Sequence, residues 1–327
     1  MKTLPAGLKK LMLAAKRSGA GLMLLSAAAL AQPYPSKPIN MLVAIGPGSP
    51  QDVVTRILVT KAVKMLGQPF VVTNNGAAGG AVALASVARA KPDGYQLISN
   101  GTPMVTMMPQ IRTVPFKLQD FEPIMHFGAG QYGLAVRADS PSKTLAELVE
   151  FARKNPGSVR YSSSGATGIE RFAIERLQQV AEFQITIIPF KGSSEATTAL
   201  LGKHVELTTA YLPDLKRYFD AGTLKPIVSL GFDRNDLPVG NIATARDAGY
   251  DVVGVTYSGL LAPQGTPQAV VSQLHDAFKQ AEESREFRES MERLGVRVRY
   301  MNGEAFLQQI KLDYETNGKL IRALGIK

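Results

Sequence analysis

The chain has 327 residues and carries 37 Lys and Arg against 27 Asp and Glu, which gives a formal net charge of +10. It contains no cysteine, so disulfides and thiol chemistry are excluded, and its three histidines are too far apart in sequence for a metal-ligand motif. The basic residues are scattered and not interleaved with aromatic residues, so the composition gives no indication of nucleic-acid binding. We expect two domains and no metal or other cofactor.

The first 31 residues have the pattern of a signal peptide. An apolar stretch at 19–30 ends in Ala29-Leu30-Ala31, a small-x-small cleavage site, and it follows a basic segment with Lys9, Lys10, Lys16 and Arg17. A membrane anchor is the alternative, but the stretch is shorter than the ~20 residues of a spanning helix. Removing residues 1–31 takes away five basic and no acidic residues, so the formal charge falls to +5, which favours small anions. We therefore predict export to the periplasm, with cleavage near Ala31.

The chain then alternates strand and helix patterns. Apolar runs predict three strands and apolar faces predict two helices between them, in the order 39–45, 52–66, 70–73, 81–90 and 95–99. Gly67 ends the first helix and the turn at 91–94 ends the second. This βαβαβ order predicts a mostly parallel sheet with helices on both faces.

A second unit of the same kind starts after residue 132. Thr144 and Glu147 form a capping box that opens a helix, which ends at Asn155-Pro156-Gly157. Further elements follow, namely strands at 159–162, 185–189 and 205–210, and helices after residue 168 and over 194–201. The chain is therefore expected to build two similar halves.

In each half, one loop joins a strand to a helix through small, uncharged residues. The first is Ile45-Gly46-Pro47-Gly48-Ser49-Pro50-Gln51-Asp52, and the second is Ser163-Ser164-Gly165-Ala166-Thr167-Gly168. A helix N-terminus has unpaired N–H groups and about half a positive charge, so such loops favour anions. Ligands of open α/β sheets lie off the carboxyl ends of the strands, where these loops gather. Two such halves that close over a small anion are typical of a solute receptor.

Two further patterns are less specific. Gly128–Gly133 has the spacing of a dinucleotide-binding motif, but the strand-like residues 134–137 follow it in place of the required helix. We interpret it as a crossover between domains, where glycine permits backbone rotation. The serines 162–164 suggest a hydrolase, but no Gly-x-Ser-x-Gly elbow surrounds them, and hydroxyl groups that bind a ligand explain them better.

The sequence also resembles the Bug-type extracytoplasmic receptors of tripartite tricarboxylate transporters. The resemblance runs from Tyr34 to the end of the chain, and the order and spacing of its segments make it specific. The segments are Tyr34-Pro35-Ser36-Lys37-Pro38-Ile39, Leu66-Gly67-Gln68-Pro69-Phe70-Val71-Val72, Lys91-Pro92-Asp93-Gly94-Tyr95, Phe121-Glu122-Pro123-Ile124, Phe190-Lys191-Gly192 and Leu261-Ala262-Pro263-Gln264-Gly265-Thr266-Pro267.

The resemblance implies a two-domain periplasmic-binding-protein fold, type II-like and of the α/β class. Each domain would be a mostly parallel sheet flanked by helices, with the cleft between the domains. The implied domain 1 is discontinuous, with residues 32–132 plus 256–327, because the C-terminal tail would pack back onto it. The implied domain 2 spans residues 133–255.

The resemblance also implies that two loops act as pincers on a carboxylate, partly through bound water. By position, the first pincer is 46–52 and the second is 163–167, the same loops that the helix N-termini single out. The wall of the cleft would add residues after the third strand and after Phe190. The implied ligand-binding residues are Gly46, Pro47, Gly48, Ser49, Pro50, Gln51, Asp52, Asn100, Thr102, Ser163, Ser164, Gly165, Ala166, Thr167, Lys191, Gly192, Ala210 and Tyr211.

Departures from the family pattern bear on the ligand. The first pincer keeps only one Pro, one Gly and Asp52 of the usual Phe-Pro-Pro-Gly-Gly-Gly-Thr-Asp, and loop 74–80 lacks the usual Arg. Asp52 suits a ligand contact and a helix first turn equally well. Ala210 replaces an acid found in many members, which favours a plain carboxylic acid over an amino acid, because a buried ammonium without a partner is costly. Tyr211 and Tyr257 could pack an apolar or aromatic ligand, or belong to the core.

We expect a non-catalytic receptor that captures a small organic carboxylate, either a di- or tricarboxylate or an aromatic acid, for a tripartite transporter. The sequence leaves two alternatives open: a sensor that signals to a membrane kinase, and a hydrolase that uses the serine loop. The expected partners are the ligand and the membrane subunits of the transporter, or the kinase. We expect a monomer that does not bind nucleic acid.

Overall fold

The structure is a computed structural model that describes residues 34–163, 168–190, 192–232, 234, 239–323 and 325. The expected signal peptide, residues 1–31, lies outside these residues, and Lys37–Lys327 form one compact unit. In the described part of the chain, no helix combines the length and the apolar character that crossing a membrane requires.

The described residues form alternating strands and helices over most of their length. The strands are β1 (Ile39–Val43), β2 (Phe70–Asn74), β3 (Gln96–Gly101), β4 (Phe121–Arg137), β5 (Arg160–Ser163), β6 (Thr186–Pro189), β7 (Leu207–Tyr211), β8 (Leu224–Ser229), β9 (Val255–Pro263) and β10 (Arg297–Asn302). The helices are α1 (Pro50–Leu66), α2 (Ala81–Ala88), α3 (Pro103–Thr106), α4 (Met108–Ile111), α5 (Leu145–Lys154), α6 (Ile169–Ala181), α7 (Ser193–Leu201), α8 (Leu212–Asp220), α9 (Gln268–Glu283), α10 (Arg285–Arg293) and α11 (Gly303–Ala323).

These strands form one mixed sheet in the order β2-β1-β3-β9-β4-β7-β5-β6, and β8 and β10 also pair with β4. Strand β1 lies parallel to both β2 and β3, with Asn40 opposite Val71 and Gln96. Strand β5 lies parallel to both β6 and β7. Both predicted parallel units are therefore confirmed, and the fold class is α/β.

The 17-residue strand β4 joins two halves of this sheet. Residues up to Gln131 pair with β9, and residues from Tyr132 onwards pair with β7. We call the part with β1, β2, β3, β9 and β10 the first half and the part with β5, β6, β7 and β8 the second half. In the first half β4 runs parallel to β1 and β3, because it is antiparallel to β9, which is antiparallel to β3. In the second half β4 is antiparallel to β7 and so to β5. The carboxyl ends of the parallel strands in the two halves therefore point towards each other.

Capping residues set several helix ends as the sequence predicts. Thr144 and Glu147 form the predicted capping box, and Gly67 ends α1 in the left-handed conformation. At the start of the last helix, Asn302 Oδ1 accepts a hydrogen bond from Ala305 N at 2.9 Å. At the C-terminal end, α11 packs against β4, and Gln110 Nε2 donates to Tyr314 O at 2.8 Å, so the tail contacts the first half of the sheet.

Some element boundaries differ from the predictions. Strand β1 ends at Val43, two residues early, and α1 begins at Pro50, so the loop between them is 44–49. Further along the chain, α9 continues to Glu283, and Ser284 caps α10 by accepting a hydrogen bond from Phe287 N. Pro267 is the N-cap of α9.

The glycines at 128–133 lie inside β4 and allow close packing. A Cβ on Gly130 would lie 2.7 Å from a ring carbon of Tyr211, and a Cβ on Gly133 would lie 2.6 Å from a methyl carbon of Leu212. None of the glycines in this segment has a positive φ. Large side chains fill the space above β4, so only glycine fits at these positions. The predicted role of these glycines in backbone rotation is therefore wrong, and their role is in packing.

Candidate functional site

The loop predicted as the first pincer leads from β1 into α1. Ser49 is the N-cap of α1, its Oγ accepts a hydrogen bond from Asp52 N at 3.2 Å, and Pro50 occupies the first turn. Proline suits this position because its missing N–H would have no partner there, and serine is a preferred N-cap. The segment therefore brings an uncharged strand end directly to the N-terminus of a 17-residue helix, as the sequence predicts.

Asp52 holds this loop in shape. Its side chain is buried, and its Oδ2 accepts a hydrogen bond from Gly48 N at 2.8 Å. Its Oδ1 accepts hydrogen bonds from Arg56 Nε and Asn74 Nδ2, both at 2.9 Å. Burial opposes ionisation, but these donors and the positive charge of Arg56 together keep the pKa of Asp52 below its usual value. Of the two roles left open by the sequence, the geometry supports that of a loop brace.

At the two glycines of this loop, Gly46 and Gly48, the space that a side chain would occupy is empty. No heavy atom lies within 4 Å of a Cβ built on Gly46 or Gly48, and Gly48 has a φ of +77°. Deeper in the loop, Gln51 Nε2 donates to Ser99 Oγ at 3.2 Å, and Ser99 Oγ lies 2.7 Å from Thr55 Oγ1. Main-chain groups at the tip are thus accessible, while the base of the loop is fixed by side-chain hydrogen bonds.

Asn100 is the second-last residue of β3, and Thr102 follows directly after that strand. Both are buried, and Asn100 Nδ2 donates to Gly101 O at 3.0 Å while its Oδ1 has no partner among the described residues. Thr102 is fixed to β9, because its N donates to Tyr257 O at 2.8 Å and its Oγ1 accepts from Tyr257 N at 3.3 Å. Asn100 therefore offers a buried acceptor close to the end of β3, whereas Thr102 mainly ties the two strands together.

The loop predicted as the second pincer starts at Ser163, the last residue of β5. Residues 164–167, which include the predicted contacts Ser164, Gly165, Ala166 and Thr167, lie outside the described residues. Beyond them, Gly168 is the N-cap of α6 and Glu170 lies in its first turn. Glu170 is only 3% exposed, and Ser163 Oγ donates to its Oε1 at 3.4 Å.

Sequence reasoning missed Glu170 as a site residue. The sequence pattern marks only the apolar face of the following helix, and an acid in a first turn is ordinary at a helix start. A comparison of the two pincers could have found it, because both loops lead to an acid in the first turn of the next helix, Asp52 and Glu170. Arg56 and Asn74, which hold Asp52, were also missed.

Of the remaining predicted contacts, the structure describes Gly192, Ala210 and Tyr211. Lys191 lies outside the described residues, and Gly192 is the N-cap of α7 with open space above it. Ala210 is fully buried in an apolar cluster with Leu200 and Leu215. Tyr211 packs over Gly130, and its hydroxyl donates to Gly295 O at 3.4 Å.

Tyr257 belongs to the core. It is 4% exposed, and its ring lies 5.1 Å from that of His126 and 6.2 Å from that of Phe232, measured between centroids. Burial raises the pKa of the Tyr257 phenol, so the hydroxyl stays protonated. Tyr257 therefore packs in the apolar core, and it also lines the cavity described below, so both roles that the sequence left open for it stay open.

A cavity of about 670 Å³ lies between α6 and α11. Its lining includes Phe172, Arg176 and Asp313, together with the segment 251–255. Thr102 is the one predicted ligand-binding residue in this lining. Burial raises the pKa of Asp313 to about 6, against one opposing hydrogen bond from Gln309 at 2.8 Å. The cavity is therefore separate from the first pincer and has its own titrating group.

The sequence matches a known protein family over most of its length. The family model described as "Tripartite tricarboxylate transporter family receptor" matches residues 54–326. A protein of Cupriavidus necator, "UPF0065 protein in gbd 5'region", is 31% identical over 314 residues, covering 96% of this chain and 95% of its own length.

Solved structures agree with the fold. The periplasmic binding protein BugD has a TM-score of 0.73 at 28% identity, covering 90% of this chain and 99% of its own. The R. palustris protein Rpa4515, solved with adipate, has a TM-score of 0.75 at 23% identity, covering 90% of this chain and 99% of its own, a similarity that shows the fold alone. The two-domain periplasmic-binding-protein fold implied by the sequence is therefore confirmed.

Proposed function

Because the chain belongs to the tripartite tricarboxylate transporter receptor family, whose members are periplasmic receptors for small carboxylates, we propose that it captures an organic acid between its two pincer loops. The observation that carries this proposal is the direction of the strands. The carboxyl ends of β1 and β3 in the first half point towards those of β5 and β7 in the second half. Ligands of α/β sheets lie off such strand ends.

The first pincer supports an anionic ligand. It combines the N-terminus of α1 with the open glycines Gly46 and Gly48 and has no cationic side chain. Backbone N–H groups at a helix start bind a carboxylate without the cost of burying an unpaired positive charge. The charge of Asp52 is offset by Arg56 and is directed into the loop base, so it does not oppose an anion at the tip.

The site supports binding rather than catalysis. In the serine loop, Ser162 Oγ donates to Ala196 O at 2.8 Å or to Thr208 Oγ1 at 2.9 Å, and Ser163 Oγ donates to Glu170, so none of these acceptors is a histidine. A serine nucleophile needs a base within hydrogen-bond reach. His126 is buried in β4, next to Tyr257, and burial lowers its pKa to about 3. We therefore favour a receptor over a hydrolase.

We propose that the boundary between the two domains lies where the strand pairing of β4 changes. Gln131 pairs with Val255 in the first half, and Tyr132 pairs with Tyr211 in the second. This supports a discontinuous domain 1 up to residue 132 and from residue 256, and a domain 2 over 133–255. We further propose that the chain is exported with cleavage near Ala31 and acts as a monomer that delivers its ligand to membrane transporter subunits.

A thermal-shift screen tests the proposed function. Aliphatic dicarboxylates, tricarboxylates and aromatic acids are each added to the purified protein, because a ligand at about 100 times its dissociation constant adds about 2.7 kcal/mol to the free energy of unfolding. Adipate belongs in the set because Rpa4515 was solved with it. We expect at least one acid to raise Tm without being converted, as checked by mass spectrometry. Turnover of an ester or amide, or no stabilisation by any acid, would contradict the proposal.

A further inference from the structure

The segment 74–80, which leads from the end of β2 to the start of α2, lies against the chain that leaves β1. We call it the backing segment. Near its start, Asn75 N donates to Val43 O at 2.9 Å. At its end, a Cβ built on Gly80 would lie only 2.6 Å from Ala44 O. The backing segment therefore follows the main chain from the last residue of β1 towards the loop predicted as the first pincer.

Asn74 joins the backing segment to both ends of this loop. Its Nδ2 donates to Ile45 O at 3.2 Å and to Asp52 Oδ1 at 2.9 Å. Its Oδ1 accepts a hydrogen bond from Arg56 Nη2 at 2.7 Å. Only an amide side chain combines two donors with an acceptor in this way, and a carboxylate in its place would repel Asp52. Asn74 therefore holds the residue before the loop and the first turn of α1 at a fixed separation.

Gly76 lies against the peptide group that joins Ile45 and Gly46. A Cβ built on Gly76 would lie 3.2 Å from Gly46 N and 3.4 Å from Ile45 C, so this peptide group would have to shift by a few tenths of an ångström. Gly76 is exposed and its φ is −87°, which any residue can adopt. The contact with the loop is therefore what a larger residue at this position would disturb.

The peptide group beside Gly76 carries a donor that the protein itself does not use. Gly46 N donates no hydrogen bond to any group in the described part of the chain, whereas Gly48 N donates to Asp52 at 2.8 Å. A main-chain donor cannot turn towards a ligand as a long side chain can, and a binding group must be held within about 0.5 Å of its productive position. The position of Gly46 N thus depends on the residues packed behind it.

We propose that Gly76 is a positioning residue for carboxylate binding, and that the backing segment sets where the Gly46 N–H group stands. Asn74 fixes the two ends of the loop, and Gly76 allows the peptide group of Gly46 to lie close to the backing segment. This inference rests on the proposed function, since it takes the loop at 46–52 as the place where the carboxylate binds. Affinity for an acid then depends on a residue outside that loop.

Isothermal titration of Gly76→Ala tests this inference, with an acid found in the thermal-shift screen. We expect the variant to fold and to bind the acid about fivefold or more weakly than the wild type, because the new methyl group displaces the peptide group of Gly46. A second measurement is made on the wild type with labelled glycine amides. Its Gly46 amide resonance should shift in the NMR spectrum when the acid is added.

Gly202→Ala is the matched control. Gly202 has a φ of −77° and a ψ of 5°, against −87° and 6° for Gly76. A Cβ there would lie 3.1 Å from a ring carbon of His204 and 3.3 Å from Thr198 O, so the added methyl group meets a contact of similar tightness at the end of α7. We expect Gly202→Ala to bind the acid with wild-type affinity, whatever its effect on Tm. A merely structural role of Gly76 would lower Tm in the same way and leave the affinity unchanged.

Three results would overturn the inference and leave the proposed function intact, because the wild type would still bind the acid. They are wild-type affinity in Gly76→Ala, equal weakening in Gly202→Ala, and a Gly46 amide resonance that does not respond to the acid. Absence of binding of every acid to the wild type would overturn the proposed function and this inference with it. If Gly76→Ala fails to fold by circular dichroism, Asn74→Ala replaces it with the same expected loss of affinity, and wild-type affinity in that variant would overturn the inference.

Discussion

Replacing Gly48 with alanine tests the geometry of the first pincer. Its φ of +77° costs an L-residue about 1–2 kcal/mol, although open space above Gly48 means that the added methyl group meets no atom. Its N–H also donates to Asp52 at 2.8 Å, a bond to a charged group worth roughly 1.5–3 kcal/mol. In the variant, the loop can keep the hydrogen bond to Asp52 and with it the unfavourable φ. Alternatively, the backbone can relax to a better φ and weaken that hydrogen bond. We therefore expect Gly48→Ala to lower the free energy of unfolding by about 1–3 kcal/mol.

Gly46→Ala is the control, because Gly46 has equally open surroundings without a positive φ. We expect it to change stability by less than about 0.5 kcal/mol. Both variants are measured by urea denaturation and by titration with an acid found in the thermal-shift screen. Gly48→Ala should also weaken binding about tenfold or more, since its N–H positions the tip of the pincer.

Two outcomes would refute this reasoning. If Gly48→Ala is as stable as Gly46→Ala, the left-handed conformation of the loop is not required. If Gly48→Ala is destabilised but binds the acid with wild-type affinity, the loop is a structural element and the ligand binds elsewhere. The two measurements therefore separate the fold of the pincer from its role in binding.

Further predictions concern charge and packing. Asp52 has a lowered folded-state pKa, so the stability it adds is present above its ordinary pKa of 3.8 and is lost as the pH falls through the folded value. In urea denaturation, Asp52→Asn should lower the free energy of unfolding by roughly 1.5–3 kcal/mol near neutral pH and by much less in acid. An equal loss of stability at the two pH values would contradict this. Asp313 has a pKa raised from 3.8 to about 6, so wild-type stability should fall as the pH rises through this window, by up to about 3 kcal/mol. Asp313→Asn should abolish that fall, and an unchanged pH profile would disprove the assignment. Gly130→Ala should lower the free energy of unfolding by about 1–3 kcal/mol, because the new methyl group meets the Tyr211 ring. The control Gly192→Ala should leave it nearly unchanged, because the space above Gly192 is open. Similar Tm values for the two variants would refute the packing role of Gly130.

Local elements were predictable from the sequence because their signals are local. The apolar runs of β1, β2 and β3, the capping box at Thr144 and the stop at Gly67 depend on residues within a few positions of one another. The parallel order of these strands then follows from their helical connections. Residues 46–52, predicted as the first pincer, accordingly lie where β1 leads into α1.

Features that depend on distant residues were not predictable in this way. The glycines 128–133 interrupt the apolar pattern of β4, so its continuous 17-residue strand was not apparent. These glycines are explained only by the side chains that pack over them, such as Tyr211 and Leu212, about 80 positions away in sequence. Glu170 was missed for the same reason, since its importance comes from its contact with Ser163 and its nearness to Tyr132.

A crystal structure with the tightest acid from the screen tests the central claim most directly. We predict that one carboxylate group lies within hydrogen-bond distance of main-chain N–H groups in residues 46–51, with the other end of the ligand at Ser163 and the start of α6. An acid bound in the cavity between α6 and α11, against Phe172 and Asp313, or one that touches only one pincer, would contradict the account.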